Sequence, residues 1–172
     1  MNSVGERGGD AGPMAIPLAR IGFTGTHRGM TYLQKAALRL LLDMLQPNEF
    51  HHGDCIGADA EAHHLVKEGV PGCRIVVHPP LRTDSRAACN ADIEWPPTTY
   101  IKRNRHIVVC TELLIATPFE RSEQRRGGTW STVRFALHNK RPVLLIRPDG
   151  NQVCWNVRSV EKKNACCDSI VE

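Results

Sequence analysis

The chain reads as a doubly wound α/β domain on a mainly parallel sheet, with an antiparallel edge strand on its C-terminal side. Three observations predict this. Short apolar runs alternate with segments whose apolar residues recur at helical spacing. Glycine-bearing turns follow the runs and lead into those segments. The 172 residues, 41% hydrophobic and 23% charged, suit one globular core.

The elements follow in order. Residues 1–16, rich in Gly and charge, read as a loose arm, with Met14 as a candidate start. ARIGFTGT (19–26) is a strand ending in a Gly-Thr turn. Thr31 and Gln34 form a T-x-x-Q capping box. Leu33, Ala36, Ala37, Leu40, Leu41, Met44 and Leu45 then recur at helical spacing and are expected to form the buried face, until Pro47 stops the helix. NEFHHGDC (48–55) is a strand running into a turn, and GADAEAHHLVKEG (57–69) a helix with Gly69 just past its end. RIVVHPP (74–80) is a buried strand with a proline stop. ELLIATP (112–118) is another, with Cys110 expected as a core thiol at its start. TWSTVRFALHNK (129–140) is a helix and RPVLLIRP (141–148) the last strongly apolar strand. PDGN turns the chain so that QVCWNV (152–157) folds back along it. One domain over 17–157 results, followed by a polar tail at 158–172. Residues 79–100 lack periodicity and form either an ordered lid carrying Trp95 or a variable surface insertion.

Bulk properties narrow the function. A net charge of +4 suits an anionic ligand and falls short of a dedicated nucleic-acid binder. Seven cysteines, an odd number with no C-x-x-C, point to reduced thiols in the cytoplasm. The N-terminal stretch has no signal-peptide apolar core, and no apolar run approaches the roughly 20 residues needed to span a bilayer.

Ligands of open α/β sheets bind beyond the carboxyl ends of the strands. Three glycine turns fall there: FTGTHRG with Gly25 and Thr26, HHGDCIGAD with Gly53, Asp54, Gly57, Ala58 and Asp59, and RRGGTWST with Gly127, Gly128, Thr129, Trp130, Ser131 and Thr132. Each leads to a helix N-terminus, where free N–H groups and the helix dipole favour an anion. Neither G-x-G-x-x-G nor G-x-x-x-x-G-K-[ST] occurs, which disfavours ordinary dinucleotide and P-loop readings. Asp54 is a candidate ribose ligand or general base, and Asp59 either a site carboxylate or a helix cap. Glu120 and Glu123 are reserve acid/base groups on the same rim. Trp130 either stacks on a base or packs in the core. His51, His52, Cys55, His63 and His64 do not reproduce zinc-ligand spacing, and neighbouring histidines point to different faces. No metal and no cofactor are therefore expected.

GFTGTHRG, GDCIGADAEA, RNRHIV and GGTWST, in that order over roughly residues 20–147, resemble the SLOG superfamily. It includes the Lonely-guy phosphoribohydrolases, YspA-like proteins and DNA-processing protein A. The resemblance implies a modified Rossmann fold, a nucleotide-derived ligand and a homodimer. It makes Gly127 and Gly128 the glycines of a P-G-G-x-G-T-x-x-E phosphate loop, with Ser131 at the threonine position and Trp130 replacing the next glycine. Arg134 stands where the family carries a catalytic glutamate, exchanging an acceptor for a permanent cation. Arg103, beside Asn104, occupies the place of the family's catalytic arginine and could clamp a phosphate bidentately. The lead expectation is binding or sensing of a nucleotide or nucleotide-derived phosphate ligand. Arg103, Asp54 and Glu123 would carry catalysis if the chain is instead an N-glycosidic hydrolase. A DNA-binding role is the least favoured.

Overall fold

The structure, a computed structural model, describes residues 20–156. The expected N-terminal arm, Met14 and the tail with Cys166 and Cys167 lie outside the described residues.

Seven strands form one sheet: β1 (Arg20–Gly25), β2 (Glu49–His52), β3 (Arg74–Val77), β4 (Ile93–Glu94), β5 (Leu113–Thr117), β6 (Val143–Ile146) and β7 (Gln152–Trp155). Their order is β4-β3-β2-β1-β5-β6-β7, parallel throughout except for the antiparallel β6–β7 pair. Helices α1 (Tyr32–Leu45) and α2 (Ala58–Gly69) pack on one face, and α3 (Tyr100–Cys110) and α4 (Gly128–His138) on the other. The expected doubly wound sheet with its antiparallel edge is therefore observed. Its strand order reverses between β1 and β5, so the crevice at their carboxyl ends is the topological switch point.

Strand alternation divides the core. Ile21, Phe23, Phe50, Ile75, Val77 and Ile115 meet α1 and α2, whereas Leu114, Ala116, Val143 and Leu145 meet Ile107, Trp130 and Val133. The capping box of α1 is formed: Gln34 N–H donates to Thr31 Oγ1 at 3.1 Å, and Thr31 N–H to Gln34 Oε1 at 3.0 Å. The buried face of α1 differs from the expected one. Gln34, Ala37, Leu38, Leu41 and Leu42 face the sheet, while Leu33, Leu40 and Met44 are exposed. The helix is apolar over most of its circumference, so periodicity alone did not identify the inner stripe. The helix also reserves an inner position for Gln34, whose Nε2 donates to the Pro118 and Ile146 carbonyls. Leu38→Ala should therefore cost about 2–5 kcal/mol. Leu40→Ala, on the outer face, should stay within about 0.5 kcal/mol, as measured by urea unfolding.

Smaller differences concern ends. Gly69 is the last residue of α2, with Val70 capping it, and Cys110 ends α3 half-buried instead of starting a strand. The 79–99 segment is ordered: it contributes β4, a 3-10 turn at Thr83–Ser85, and a bridge between Pro80 and Thr98. No disulfide forms among the described residues, and none of their helices is long and apolar enough to cross a membrane.

Candidate functional site

A cavity of about 500 Å³ opens at the switch point. The first turn contributes Thr24, Gly25, Thr26, His27 and Arg28. Cys55, Ile56 and Asp59 come from the second, Tyr100, Arg103 and Asn104 from α3, and Phe119 and Glu120 from the chain after β5. Gly127, Gly128, Thr129 and Trp130 line the remaining wall.

The α4 N-terminus forms that wall. Gly127 is its N-cap, at φ 132 and ψ 142, a conformation essentially reserved for glycine, and no side chain caps the helix. A Cβ placed on Gly127 or Gly128 would meet nothing within 4 Å. Both glycines line the cavity, and the first turn of α4 carries no acidic residue. Uncapped N–H groups, the helix dipole and open volume together describe an anion cradle.

Arg103 enters from α3 and is buried. Its guanidinium lies across the Gly53 backbone so closely that a Cβ on Gly53 would fall 1.1 Å from Nη1. Nη1 sits 3.6 Å from Asp59 Oδ2, and Nη2 donates to Cys55 Sγ at 2.9 Å. Tyr100 stacks beneath it at 5.6 Å, and the buried Nε has no partner. Asp59 is not the N-cap of α2, a position held by Gly57; its Oδ2 accepts the Gly53 and Cys55 N–H groups at 3.1 and 3.3 Å. Burial pushes its carboxyl above the usual carboxylate range, against the opposing pull of Arg103 and these amides. Asp59 thus holds the second turn and steadies Arg103. Arg28, 4.4 Å above the Phe119 ring, adds a second cation to the mouth.

Other expected site residues have different placements. Asp54 and Glu123, the candidate acid/base carboxylates, do not line the cavity. Asp54 is fully buried; Oδ2 takes Arg86 Nε at 2.6 Å, Oδ1 takes the Cys89 N–H at 2.9 Å, and its carbonyl takes the Ala87 N–H at 2.8 Å. It anchors the 79–99 segment, which adds Ser85 to the cavity. Asp54→Ala would leave Arg86 with Glu94 alone and the Cys89 amide without its acceptor, and should lower unfolding free energy by about 2 kcal/mol in chemical denaturation. Arg134, at the position of the expected glutamate, turns away from the cavity. It donates to Glu123 Oε1 at 3.0 Å and to the Gln124 and Arg125 carbonyls, stapling the loop that precedes α4. Gly53, Gly57, Ala58, Ser131 and Thr132 also do not line the cavity. Gly57 and the buried Ala58 begin α2, with the Ala58 N–H donating to the Thr26 carbonyl, and Thr132 Oγ1 bonds back to the Gly128 carbonyl. Trp130 is in the core, with Nε1 donating to Glu120 Oε2 at 3.2 Å.

Sequence reasoning singled out Gly25, Thr26, Asp59, Arg103, Asn104 and the 127–130 turn, all brought together here. It missed Cys55, Tyr100, Arg28 and Phe119 as site residues. Cys55 lay inside a quoted motif, but its pairing with Arg103 depends on a contact 48 residues away.

No protein-family model matches the chain, and neither does any curated protein sequence. Solved structures do. The molybdenum cofactor binding protein from the phototrophic bacterium Rippkaea orientalis matches with 21% identity and a TM-score of 0.60, over 77% of this chain and 78% of that one. The molybdenum cofactor carrier protein from Chlamydomonas reinhardtii matches with 21% identity and a TM-score of 0.55, over 86% of each chain. DNA processing protein A from Streptococcus pneumoniae matches with 16% identity and a TM-score of 0.55, over 74% of this chain and 50% of that one.

Proposed function

We propose that this chain, which has the SLOG-type modified Rossmann fold, binds or senses a phosphate-bearing, nucleotide-derived small molecule. It does so as a cytoplasmic homodimer. The observation carrying the reading is the uncapped N-terminus of α4, with its two open glycines, facing the same cavity as Arg103 and its unpartnered Nε. The ligand's phosphate takes the Gly128–Trp130 N–H groups and the Arg103 fork, the two recognition elements that suit a tetrahedral anion. Arg28 and the exposed faces of Tyr100 and Phe119 receive the remainder of the ligand.

Hydrolysis of an N-glycosidic bond is the second reading, and one observation favours it. Glu120 lines the cavity and is oriented by Trp130, so a carboxylate is present although Arg134 replaces the expected one. Two of the structural neighbours are described as binding or carrying the molybdenum cofactor, so the ligand panel includes it. The test is a thermal-shift screen of nucleoside monophosphates, ADP-ribose, ribose 5-phosphate and molybdenum cofactor, followed by assay for released base. Stabilisation of about 2.7 kcal/mol is expected at a hundredfold excess over Kd. Release of free base at enzymatic rates would move the second reading ahead, and no stabilisation by any phosphate compound would count against both. Light scattering tests the homodimer.

A further inference from the structure

We propose that His52, His63 and Cys89 form a binding site for a divalent transition metal of the zinc class, separate from the cavity. None of the three lines the cavity. Strand alternation sends the two residues of the His51–His52 pair to opposite faces. His51 meets His78, while His52 turns to the α2 side and reaches His63. His52 is fully buried and His63 nearly so, whereas the 79–99 segment brings in the half-buried Cys89. His52 Nε2 and His63 Nδ1 are 3.1 Å apart, and one ring nitrogen of each histidine and Cys89 Sγ lie within 4.8 Å of one another. Two imidazole nitrogens bound tetrahedrally at zinc distances are separated by about 3.3 Å. The separation of the existing pair already suits two ligands of one ion, whereas Cys89 has to draw inward and the hydrogen bonding of His52 has to rearrange.

The donor set selects the ion. Two imidazoles and a thiolate suit zinc and disfavour magnesium or calcium, which take oxygen ligands. Three protein ligands leave a fourth position open.

Binding has a defined proton balance. Cys89 releases its thiol proton to solvent as the sulfur–metal bond forms. At present the Asp54 N–H donates to His52 Nδ1 at 3.1 Å, so His52 carries its own proton on Nε2 and donates it to His63. Metal on Nε2 moves that proton to Nδ1, and the Asp54 amide must turn aside. Asp54 also anchors the 79–99 segment through Arg86 and the Cys89 amide. A metal on His52 therefore disturbs the same turn that holds the 79–99 segment.

The test is a cobalt(II) titration of the chelator-stripped full chain, with Cys89→Ala and His63→Gln as variants. The expected result is one equivalent bound, with intense visible bands of a tetrahedral ion, a thiolate-to-cobalt charge-transfer band, and displacement by zinc. Cys89→Ala should lose the charge-transfer band, and each variant should weaken binding by more than the roughly 10–100-fold that loss of an outer-shell partner costs. His63→Gln keeps the test open if Cys89→Ala fails to fold. Absence of the bands, or bands that persist in the variants, would overturn the proposal.

Discussion

Arg103→Ala is expected to abolish measurable binding of phosphate ligands. Each hydrogen bond to a charged group contributes about 1.5–3 kcal/mol, so losing a two-pronged clamp should weaken binding by at least ~100-fold. Arg103→Lys keeps the charge without the planar fork and should recover only part of that affinity. A stability loss accompanies Arg103→Ala, because the buried Asp59 loses its cation and retains only the Gly53 and Cys55 amides. Gly53→Ala supplies an independent route to the same outcome. Its Cβ would fall on Nη1 and expel the guanidinium without removing a charged residue, and it would also crowd Asp59 Oδ2 at 2.8 Å. Calorimetric titration should find both variants folded and deficient in binding; a folded Arg103→Ala that binds normally would remove Arg103 from the site.

The second large effect separates ligand binding from stability. Gly128 begins α4 with open space at its Cβ and without the positive φ of Gly127. Gly128→Ala should therefore leave the fold intact or stabilise it by about 0.4–1 kcal/mol through the unfolded chain. The added methyl group nevertheless stands in the cradle and should cost the ligand tenfold or more, about 1.4 kcal/mol. Gly127→Ala, forced into the positive-φ backbone of that position, should lose both stability and binding. The contrast between adjacent glycines is the useful result, since a purely structural turn predicts no binding loss for Gly128→Ala.

Much of this architecture was legible in the sequence because its signals are local. The Thr31–Gln34 capping box, the apolar strand runs and the Gly127–Gly128 turn each depend on neighbouring residues. What escaped depends on pairings across the fold. The buried face of α1 is chosen by the sheet, and apolar residues on both sides of the Lys35, Arg39 and Asp43 stripe do not announce which of them lies inward. Asp54 sits in a glycine turn like a site residue, yet its partners Arg86 and Cys89 lie more than thirty residues on. Adjacent histidines do diverge as strand and helix periods require. The distance between His52 and His63, however, is set by how α2 lies on β2. Arg134 was recognisable as a departure from the loop motif that the sequence resembles, but only its contacts with residues 123–125 reveal that it holds that loop.

The central claim is that phosphate docks on the N-terminus of α4. Amide chemical-shift mapping during titration with nucleoside 5′-monophosphates, beside the matching nucleosides, tests it most directly. The account predicts the largest shifts at the Gly128, Thr129 and Trp130 amides, with the unphosphorylated nucleosides producing little change there. Monophosphate binding that leaves those three amides unmoved, or nucleosides that shift them equally, would contradict it.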